Sequence, residues 1–467
     1  MRGRSAVDGT DVGSFRDPSG FVFQRDGVVL RQVNRAFEDR WEDLRSSGVL
    51  AALQRENLLV GHEELGPQLA HAPAIAHTVL RPEQLAFVSY PYEWSFSQLK
   101  DAALVTLEAQ SVAARHGFTL RDASAYNVQL HRGRPVLIDT LSFERAQLDR
   151  PWRAYRQFTE HFLAPLALMA HRDVRCGLML REHLDGIPVD LAATLLPGRT
   201  KLDVGLGAHL HAHAAAQRHA MGSASDDDGT RRKRRMGTVR QAALLDSLKR
   251  TVEKLTWRAT ETDWASYAEA TSYSDVAARS KDEIVRRLLV AAGGDVVFDL
   301  GANIGRFSAL AASLGRSVVA WDADPGATDI HYRAVRTEGR ASVLPLLTDL
   351  TNPSPGLGWA HAERRSFIDR SNADVVMALA LVHHLSIGRN IRLAMIADLL
   401  RRLASRLIIE FIPDADPMAQ RLLRTRDDVR PGLTIEGFRA VFATHFEIVD
   451  DVPIDESARR LLLMKRR

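Results

Sequence analysis

The chain has 467 residues, of which 45% are hydrophobic, and its formal net charge is +4. This composition is ordinary for a globular protein with apolar cores, and it shows no domain-wide basic excess of the kind that nucleic-acid binding needs. The single cysteine, Cys176, excludes a disulfide framework and a cysteine-rich zinc site.

The chain starts with a polar, charged stretch over 1–18 that lacks the apolar core of a signal peptide. The longest apolar runs, 162–170 and 375–382, are too short to span a bilayer. We therefore expect a cytoplasmic protein without a membrane span. The sequence contains no indication of the oligomeric state.

Strands and helices are predicted to mix in the first part of the chain. Alternation around Asp26-Gly27 predicts a hairpin over 20–33, since this dipeptide favours a tight turn between strands. Further along, the pattern predicts a helix over 37–53, a strand over 85–92 and a helix over 100–116.

Three polar residues with side-chain oxygens follow, at spacings that suit a site for a metal ion. Asp122 and Asn127 lie in one loop, and Asp139 ends a later strand. Oxygen ligands of this kind suit a hard cation such as Mg²⁺. The element order and these spacings resemble the protein-kinase-like fold. That resemblance implies that Asp122 orients an acceptor hydroxyl and that Asn127 and Asp139 hold Mg²⁺ on a nucleotide.

The resemblance is incomplete at the nucleotide clamp. The first lysine of the chain is Lys100, so the phosphate-pairing lysine is absent unless Arg31 substitutes. Local backbone capping is the alternative role for Asp122 and Asn127. We predict a kinase-like α+β domain over 1–220 that is not an active kinase and has a binding or scaffold role. Mg-ATP is an alternative cofactor rather than the expected one.

An acidic block followed by a basic one, within 221–238, divides the chain. The stretch has no apolar periodicity and is predicted to be a flexible linker. Its basic run, 231–235, has a second interpretation as a patch for nucleic acid or another anion. The histidines before it are expected to form a polar helix face rather than a metal site: His209, His211, His213 and His219.

Strands and helices alternate over 239–467, which predicts a parallel sheet. The expected strands are 296–300, 317–322, 342–347, 373–379, 406–411, 447–452 and 460–464. The expected helices are 239–258, 280–292, 305–314, 329–337, 391–403 and 435–442, with a further one around 361–370. The connection between the last two strands is too short for a helical crossover, so these strands should pair antiparallel at the sheet edge.

The turn after the first of these strands has a pattern that favours a nucleoside ligand. Gly301 and Gly305 permit a tight turn and close helix packing, and Asn303 tolerates positive φ. The dinucleotide fingerprint fails, because asparagine and arginine replace two of its glycines. The acid at Asp299 suits a cationic ligand such as a sulfonium, and Asp322 can accept both hydroxyls of a ribose.

This pattern resembles the first motif of class I S-adenosylmethionine-dependent methyltransferases. The resemblance implies a seven-stranded Rossmann-like sheet, S-adenosylmethionine as cofactor, and a fourth motif over 378–385. It places Asp322 on the ribose and Asp349 on the adenine amino group. The implied cofactor-binding residues are Asp299, Gly301, Ala302, Asn303, Gly305, Asp322, Asp349 and Ala380.

The implied reaction is an in-line methyl displacement, which needs a general base only if the acceptor must lose a proton. The candidates are His383, His384 and Glu410, near strand ends at the ligand-facing edge; loop packing is the alternative for the histidines. Aromatic residues before the sheet are expected to pack under a cap rather than form a lid over the cofactor: Trp264, Tyr267 and Tyr273.

The sequence therefore predicts a methyltransferase with an unidentified acceptor, a small molecule or glycan, and it gives no clear sign of nucleic-acid binding. No metal site is assigned. One alternative is a bifunctional or phosphoryl-transferring enzyme that uses Asp122, Asn127 and Asp139. The other alternative is a non-catalytic protein that binds the cofactor.

Overall fold

The computed structural model describes residues 9–147, 150–222, 237–258, 274–424 and 434–467. The contacts divide the chain into two compact units: an N-terminal unit within 5–257 together with 357–364, and a C-terminal unit within 258–356 and 365–467. The basic run 231–235 lies outside the described residues, as do Trp264, Tyr267 and Tyr273.

A five-stranded antiparallel sheet opens the N-terminal unit, in the order β1-β2-β3-β5-β4. Its strands are β1 (Gly9–Thr10), β2 (Gly20–Arg25), β3 (Val28–Asn34), β4 (His62–Glu64) and β5 (Ala76–Pro82). Asp26 and Gly27 join β2 to β3 with φ values of 51° and 75°. The predicted hairpin is therefore confirmed, and its turn takes the left-handed conformation that Asp-Gly favours.

The helix predicted over 37–53 is divided in the structure into α1 (Glu38–Ser46) and α2 (Val49–Arg55). Gly48, with a φ of 76°, separates them. The strand predicted over 85–92 is wrong. Ser89 exchanges its backbone hydrogen bonds with the Gln129 side chain, at 2.9 Å in each direction, so its polar groups are satisfied without a sheet.

The predicted helix over 100–116 is confirmed as α3 (Phe96–Arg115), capped by Ser95. Two small two-stranded sheets follow: β6 (Phe118–Leu120) with β9 (Phe143–Arg145), and β7 (Val128–His131) with β8 (Arg134–Leu137). The remaining α-helices among the described residues of this unit are α4 (Tyr155–Phe158), α5 (Ala164–His171), α6 (Met179–Glu182), α7 (Val189–Leu195), α8 (Val204–Leu206), α9 (His213–Gly222) and α10 (Thr238–Lys254).

Helix α10 packs against α3. Lys249 Nζ lies 3.1 Å from Glu108 Oε2, and Lys100 Nζ donates to the carbonyls of Glu253 and Leu255 at 2.7 and 2.8 Å. The structure therefore places α10 in the N-terminal unit and divides the chain after residue 257, whereas the sequence placed the boundary within 221–238.

The C-terminal unit is built on a seven-stranded sheet in the order β12-β11-β10-β13-β14-β16-β15. Its strands are β10 (Val296–Leu300), β11 (Ser317–Asp322), β12 (Val343–Leu347), β13 (Ala373–Ala378), β14 (Ala404–Phe411), β15 (Phe446–Pro453) and β16 (Arg460–Arg466). The first five are parallel, and β16 pairs antiparallel with both β14 and β15. The predicted strands and their antiparallel last pair are confirmed.

Among the described residues of this unit, six α-helices accompany the sheet: α11 (Asp275–Ala292), α12 (Arg306–Ser313), α13 (Pro325–Thr337), α14 (Leu393–Leu403), α15 (Pro417–Leu423) and α16 (Ile435–Phe442). The helix predicted around 361–370 is wrong. Leu357 and Arg364 instead exchange backbone hydrogen bonds of 2.9 Å and close a short hairpin. Across the described ranges, no helix has both the length and the apolar composition to cross a bilayer.

The strand order turns back beside β10, whose neighbours are β11 on one side and β13 on the other. Chain connections leave such a sheet in opposite directions at this point, so a crevice opens at the carboxyl ends of the strands. The core beneath it is apolar, with Val297, Val375 and Met377 fully buried. The fold thus directs the turns after β10, β11 and β13 to one place.

Candidate functional site

The turn after β10 has a left-handed backbone that few residue types tolerate. Gly301 and Gly305 have φ values of 76° and 87°, and Asn303 has a φ of 50°. A Cβ atom on Gly305 would lie 2.0 Å from Nε2 of His331 in α13, so this position requires glycine for space as well as for conformation. The glycine turn predicted from the sequence is confirmed.

Asp299 is only 2% exposed, and its Oδ2 accepts a hydrogen bond of 2.6 Å from Ser308 Oγ. Burial raises the pKa of Asp299 to about 6; the Ser308 hydrogen bond opposes this rise and the Asp322 carboxylate adds to it. A cation placed nearby would lower this pKa and favour the charged form. Asp299 is therefore a buried carboxyl group whose protonation depends on the charges placed beside it.

Two further acids lie at the same edge of the sheet. Asp322 accepts backbone hydrogen bonds from Asn303 at 2.7 Å and Asp324 at 2.8 Å, one on each carboxylate oxygen. Each oxygen keeps a second lone pair, so both can still accept a ligand hydroxyl. Asp349 is exposed after β12, where its Oδ1 accepts from the Thr351 backbone and hydroxyl at 2.8 and 2.7 Å.

The turn after β13 meets the turn after β10. A Cβ on Gly301 would lie 3.3 Å from the Leu381 side chain. Ala380 has a φ of 50°, which is unusual for a residue with a side chain, and its backbone N–H donates to Glu410 Oε2 at 2.8 Å. The structure therefore brings the predicted residues Gly301, Ala380 and Glu410 into one region of the C-terminal unit.

Glu410 has 0% exposure and sits among charged side chains that the sequence analysis did not identify. Lys281 Nζ lies 2.7 Å from its Oε2, and Arg459 Nη1 lies 3.5 Å from its Oε1. Arg459 also donates to Asp416 at 2.7 Å through Nε. We call Lys281, Glu410, Arg459 and Asp416 the buried charge network. The network thus places two basic side chains beside one fully buried carboxyl group.

One member of this network leaves a signal in the sequence. Lys281 falls on the face of α11 that also carries the buried residues Ile284 and Leu288, so a lysine interrupts an apolar stripe. Burial lowers the pKa of Lys281, against the attraction of Glu410. The pairing of Arg459 with Asp416 joins distant parts of the chain and has no local signal.

His383 and His384 follow β13 with ring centroids 4.0 Å apart. His383 is 1% exposed, and neither ring nitrogen has a hydrogen-bond partner among the residues that the structure describes. Burial lowers the pKa of His384 to about 4, and it lowers that of His383 well below the usual range. Both imidazoles are therefore neutral near pH 7, the form in which a histidine can accept a proton.

The N-terminal unit brings its predicted constellation together as well. Asp122 accepts a backbone hydrogen bond from Ser124 at 2.9 Å, and burial raises its pKa, with a further contribution from the Asp139 carboxylate. Asn127 donates to the Ser142 hydroxyl at 3.3 Å, and that hydroxyl in turn donates to Asp139. The three polar residues therefore share one region of this unit.

Arg31 of β3 lies with its Nη2 2.6 Å from Asp139 Oδ1, so an arginine occupies the neighbourhood where the sequence lacked a lysine. The same Oδ1 accepts from the Leu141 backbone at 3.0 Å, and Oδ2 accepts from Ser142. Asp139 is consequently held by three donors, which compete with any cation for its oxygens.

The histidines before the linker are partly structural. His209 is buried, with Nδ1 2.9 Å from the Tyr155 hydroxyl and Nε2 2.9 Å from the Ser247 hydroxyl. His211 Nε2 lies 2.8 Å from the Thr200 hydroxyl. Within the described ranges, no three histidine, cysteine or acidic side chains gather in a way that could hold a metal ion.

Several solved structures resemble part of the chain. A magnesium protoporphyrin IX methyltransferase from Synechocystis is 21% identical, with 41% of this chain and 84% of that one covered and a TM-score of 0.31. The N-methyltransferase NodS from Bradyrhizobium japonicum is 15% identical, with 41% of this chain and 98% of that one covered and a TM-score of 0.31. The bifunctional kinase-methyltransferase WbdD is 15% identical, with 43% of this chain and 42% of that one covered and a TM-score of 0.30. Scores of this size do not establish a shared activity.

Comparison over the whole chain is more informative. No family model matches the sequence. Nodulation protein NoeA of Rhizobium meliloti (strain 1021) is 33% identical over 463 residues, which cover 98% of this chain and 96% of that protein. An identity of this level across nearly the full length of both chains shows common descent, and the protein therefore belongs to the family of nodulation protein NoeA.

Proposed function

We propose that the C-terminal unit is a methyltransferase that moves a methyl group from S-adenosylmethionine to a small molecule or glycan. The observation that carries this proposal is the convergence of Asp299, the left-handed turn over 301–305 and Asp322 at the carboxyl ends of β10 and β11. This arrangement offers a carboxyl group to a cation and a second carboxylate to paired hydroxyls.

The residues present fit this cofactor. The glycines of the turn leave no side chain between the backbone and a ligand, and the Asp322 oxygens retain lone pairs. Asp299 carries a pKa that a cationic ligand would lower. Asp322 would hold the ribose, Asp349 the adenine amino group, and the turn with Ala302 and Ala380 the remainder. When bound, S-adenosylmethionine would supply an electrophilic methyl group on a sulfonium.

Among the three candidate bases, the geometry favours the histidines over Glu410. The ring nitrogens of His383 have no partner among the described residues, so they are unoccupied, and burial lowers the pKa of this imidazole, which makes it a weak base that an acceptor group must approach closely. Glu410 already forms an ion pair with Lys281 and accepts a hydrogen bond from the Ala380 backbone. We infer that Glu410 positions the turn after β13, and that His383 or His384 holds the proton.

Calorimetric titration of the full chain with S-adenosylmethionine tests the cofactor. We expect micromolar binding by the wild type, and a loss of about thirtyfold or more in Asp322→Ala, because charge-assisted hydrogen bonds to the ribose disappear. Asp295→Asn is the matched control: this acid is fully exposed at the start of the same strand region, so its loss should leave binding unchanged.

Absence of binding by the wild type, or equal binding by Asp322→Ala, would contradict the proposal. Transfer of label from methyl-labelled S-adenosylmethionine to a small-molecule extract then separates an enzyme from a protein that only binds the cofactor. Label that stays in the cofactor with every extract would favour the non-catalytic alternative.

A second candidate function concerns the N-terminal unit. Asp122, Asn127 and Asp139 lie together beside Arg31, and this arrangement favours phosphoryl transfer with Mg-ATP. The three donors that already bind Asp139 argue against this function, because they compete with Mg²⁺ for its oxygens. Titration with Mg-ATP decides between phosphoryl transfer and a binding or scaffold role. Binding that is lost in Asp139→Ala would support a bifunctional enzyme; no binding by the wild type would leave this unit a binding or scaffold role.

A further inference from the structure

The hairpin over 357–364 is an unusual component of the N-terminal unit. In sequence it lies between β12 and β13 of the seven-stranded sheet, yet its contacts place it with residues 5–257. The carboxylate of Glu363 accepts from Arg16 Nε and Nη2 at 2.8 and 2.9 Å and from the Trp359 backbone at 3.2 Å. These bonds anchor the hairpin and fix the residue that follows Glu363.

That residue is Arg364, whose guanidinium carbon lies 4.2 Å from the centre of the Tyr126 ring. Tyr126 in turn meets His161 edge to face, with ring centres 6.1 Å apart. Tyr126 belongs to the same loop as Asp122 and Asn127. A hairpin from a distant part of the sequence thus completes a cluster beside the predicted kinase-like residues.

The cluster contains buried polar atoms with nothing to bind. Arg364 Nε, Tyr126 Oη and His161 Nδ1 are inaccessible to solvent, and none has a hydrogen-bond partner within the described part of the chain. His161 as a whole is only 2% exposed. Each unsatisfied buried donor carries a desolvation cost, and Arg364 and His161 both lie against Tyr126, so a hydrogen-bond acceptor that reached these donors would be stabilising.

The charges indicate which kind of occupant fits. Glu363 is a carboxylate that Arg16 and Arg364 share, at 2.8 and 3.6 Å, so its single negative charge lies between two guanidinium groups. Burial and the Arg364 charge lower the pKa of His161 to about 4, which leaves it neutral with one N–H to donate. The Glu93 carboxylate also acts on Tyr126, but more weakly than Arg364 does.

We propose that Arg364, Tyr126 and His161 form a binding site for an oxyanion, the carboxylate or phosphate group of a small molecule. Arg364 Nε–H, the Tyr126 hydroxyl and His161 Nδ1–H would each donate one hydrogen bond to its oxygens. A guanidinium is the side chain best suited to such groups, because its planar donors match their geometry. The site does not depend on the proposed methyl transfer.

Calorimetric titration of the full chain with inorganic phosphate, and separately with acetate, at constant ionic strength tests the site. We expect one of the two anions to bind, and Arg364→Gln to weaken that binding at least about tenfold. Tyr126→Phe should weaken it about threefold or more. Arg55→Gln, which removes the same charge from an exposed position of the same unit, should bind like the wild type.

The preferred anion distinguishes the two sources: phosphate alone indicates a phosphorylated ligand, and acetate alone indicates a carboxylic acid. Failure of the wild type to bind either anion overturns the proposal, as does unchanged binding by Arg364→Gln. If circular dichroism shows that Arg364→Gln does not fold, the anion affinities of Tyr126→Phe and the charge-conserving Arg364→Lys test the site instead. Wild-type affinity in both of these variants overturns the proposal.

Discussion

Replacement of Glu410 by alanine is expected to lower the stability of the C-terminal unit by about 3–5 kcal/mol, the largest effect that we predict. The carboxylate has no exposure to solvent and lies between Lys281 and Arg459. Its removal would leave two cations in a low-dielectric interior with less compensation. It would also leave the Ala380 N–H without its acceptor, in a turn that already has an unfavourable φ.

Hydrogen–deuterium exchange of peptides from β13 and β14 measures this effect locally, so unfolding of the N-terminal unit does not obscure it. Glu447→Ala is the control, because Glu447 is exposed on the edge strand β15 and should change stability by no more than about 0.5 kcal/mol. Exchange in Glu410→Ala as slow as in that control would mean that the buried charge network does not stabilise the fold.

Replacement of Gly305 by alanine is expected to cost about 2–5 kcal/mol and to weaken S-adenosylmethionine binding. About 1–2 kcal/mol comes from the left-handed backbone, and about 1–3 kcal/mol from overpacking against the buried ring of His331. The backbone must move to relieve the contact, and it would carry the cofactor-binding turn with it.

Gly315→Ala separates the two contributions. Gly315 has a φ of 78°, close to that of Gly305, but a Cβ there meets nothing within 4 Å. This control should lose only the conformational part, about 1–2 kcal/mol, and should bind S-adenosylmethionine like the wild type. Urea unfolding and calorimetry of both variants measure the difference. Equal losses would show that the close approach to His331 carries no cost.

The seven-stranded sheet could be predicted because most of its strands are short, largely apolar runs between turn residues. The glycine turn could be predicted for a similar reason: Gly301, Asn303 and Gly305 are residue types that accept positive φ, and all three adopt it. Signals of this kind are local, since a residue's own backbone preference reports on its own conformation.

Other features depend on partners far along the chain. Residues 85–92 have the composition of a strand, yet the Gln129 side chain takes the hydrogen bonds of Ser89 that a neighbouring strand would otherwise have taken. The charged surroundings of Glu410 come from α11 and from the end of the chain. The hydrophobic periodicity of the sequence does not predict such long-range pairings, because they form only when distant segments come together in the fold.

The hairpin over 357–364 has a consequence for the order in which the molecule is made. Residues 5–257 leave the ribosome well before Glu363 and Arg364, although these two belong to the same compact unit. At ordinary rates of translation the delay is roughly 5 to 20 seconds, far longer than a helix or hairpin needs to form. Throughout that interval Arg16 lacks its partner Glu363, and Tyr126 lacks its partner Arg364. The N-terminal unit can therefore complete its folding only after synthesis of the C-terminal unit has begun.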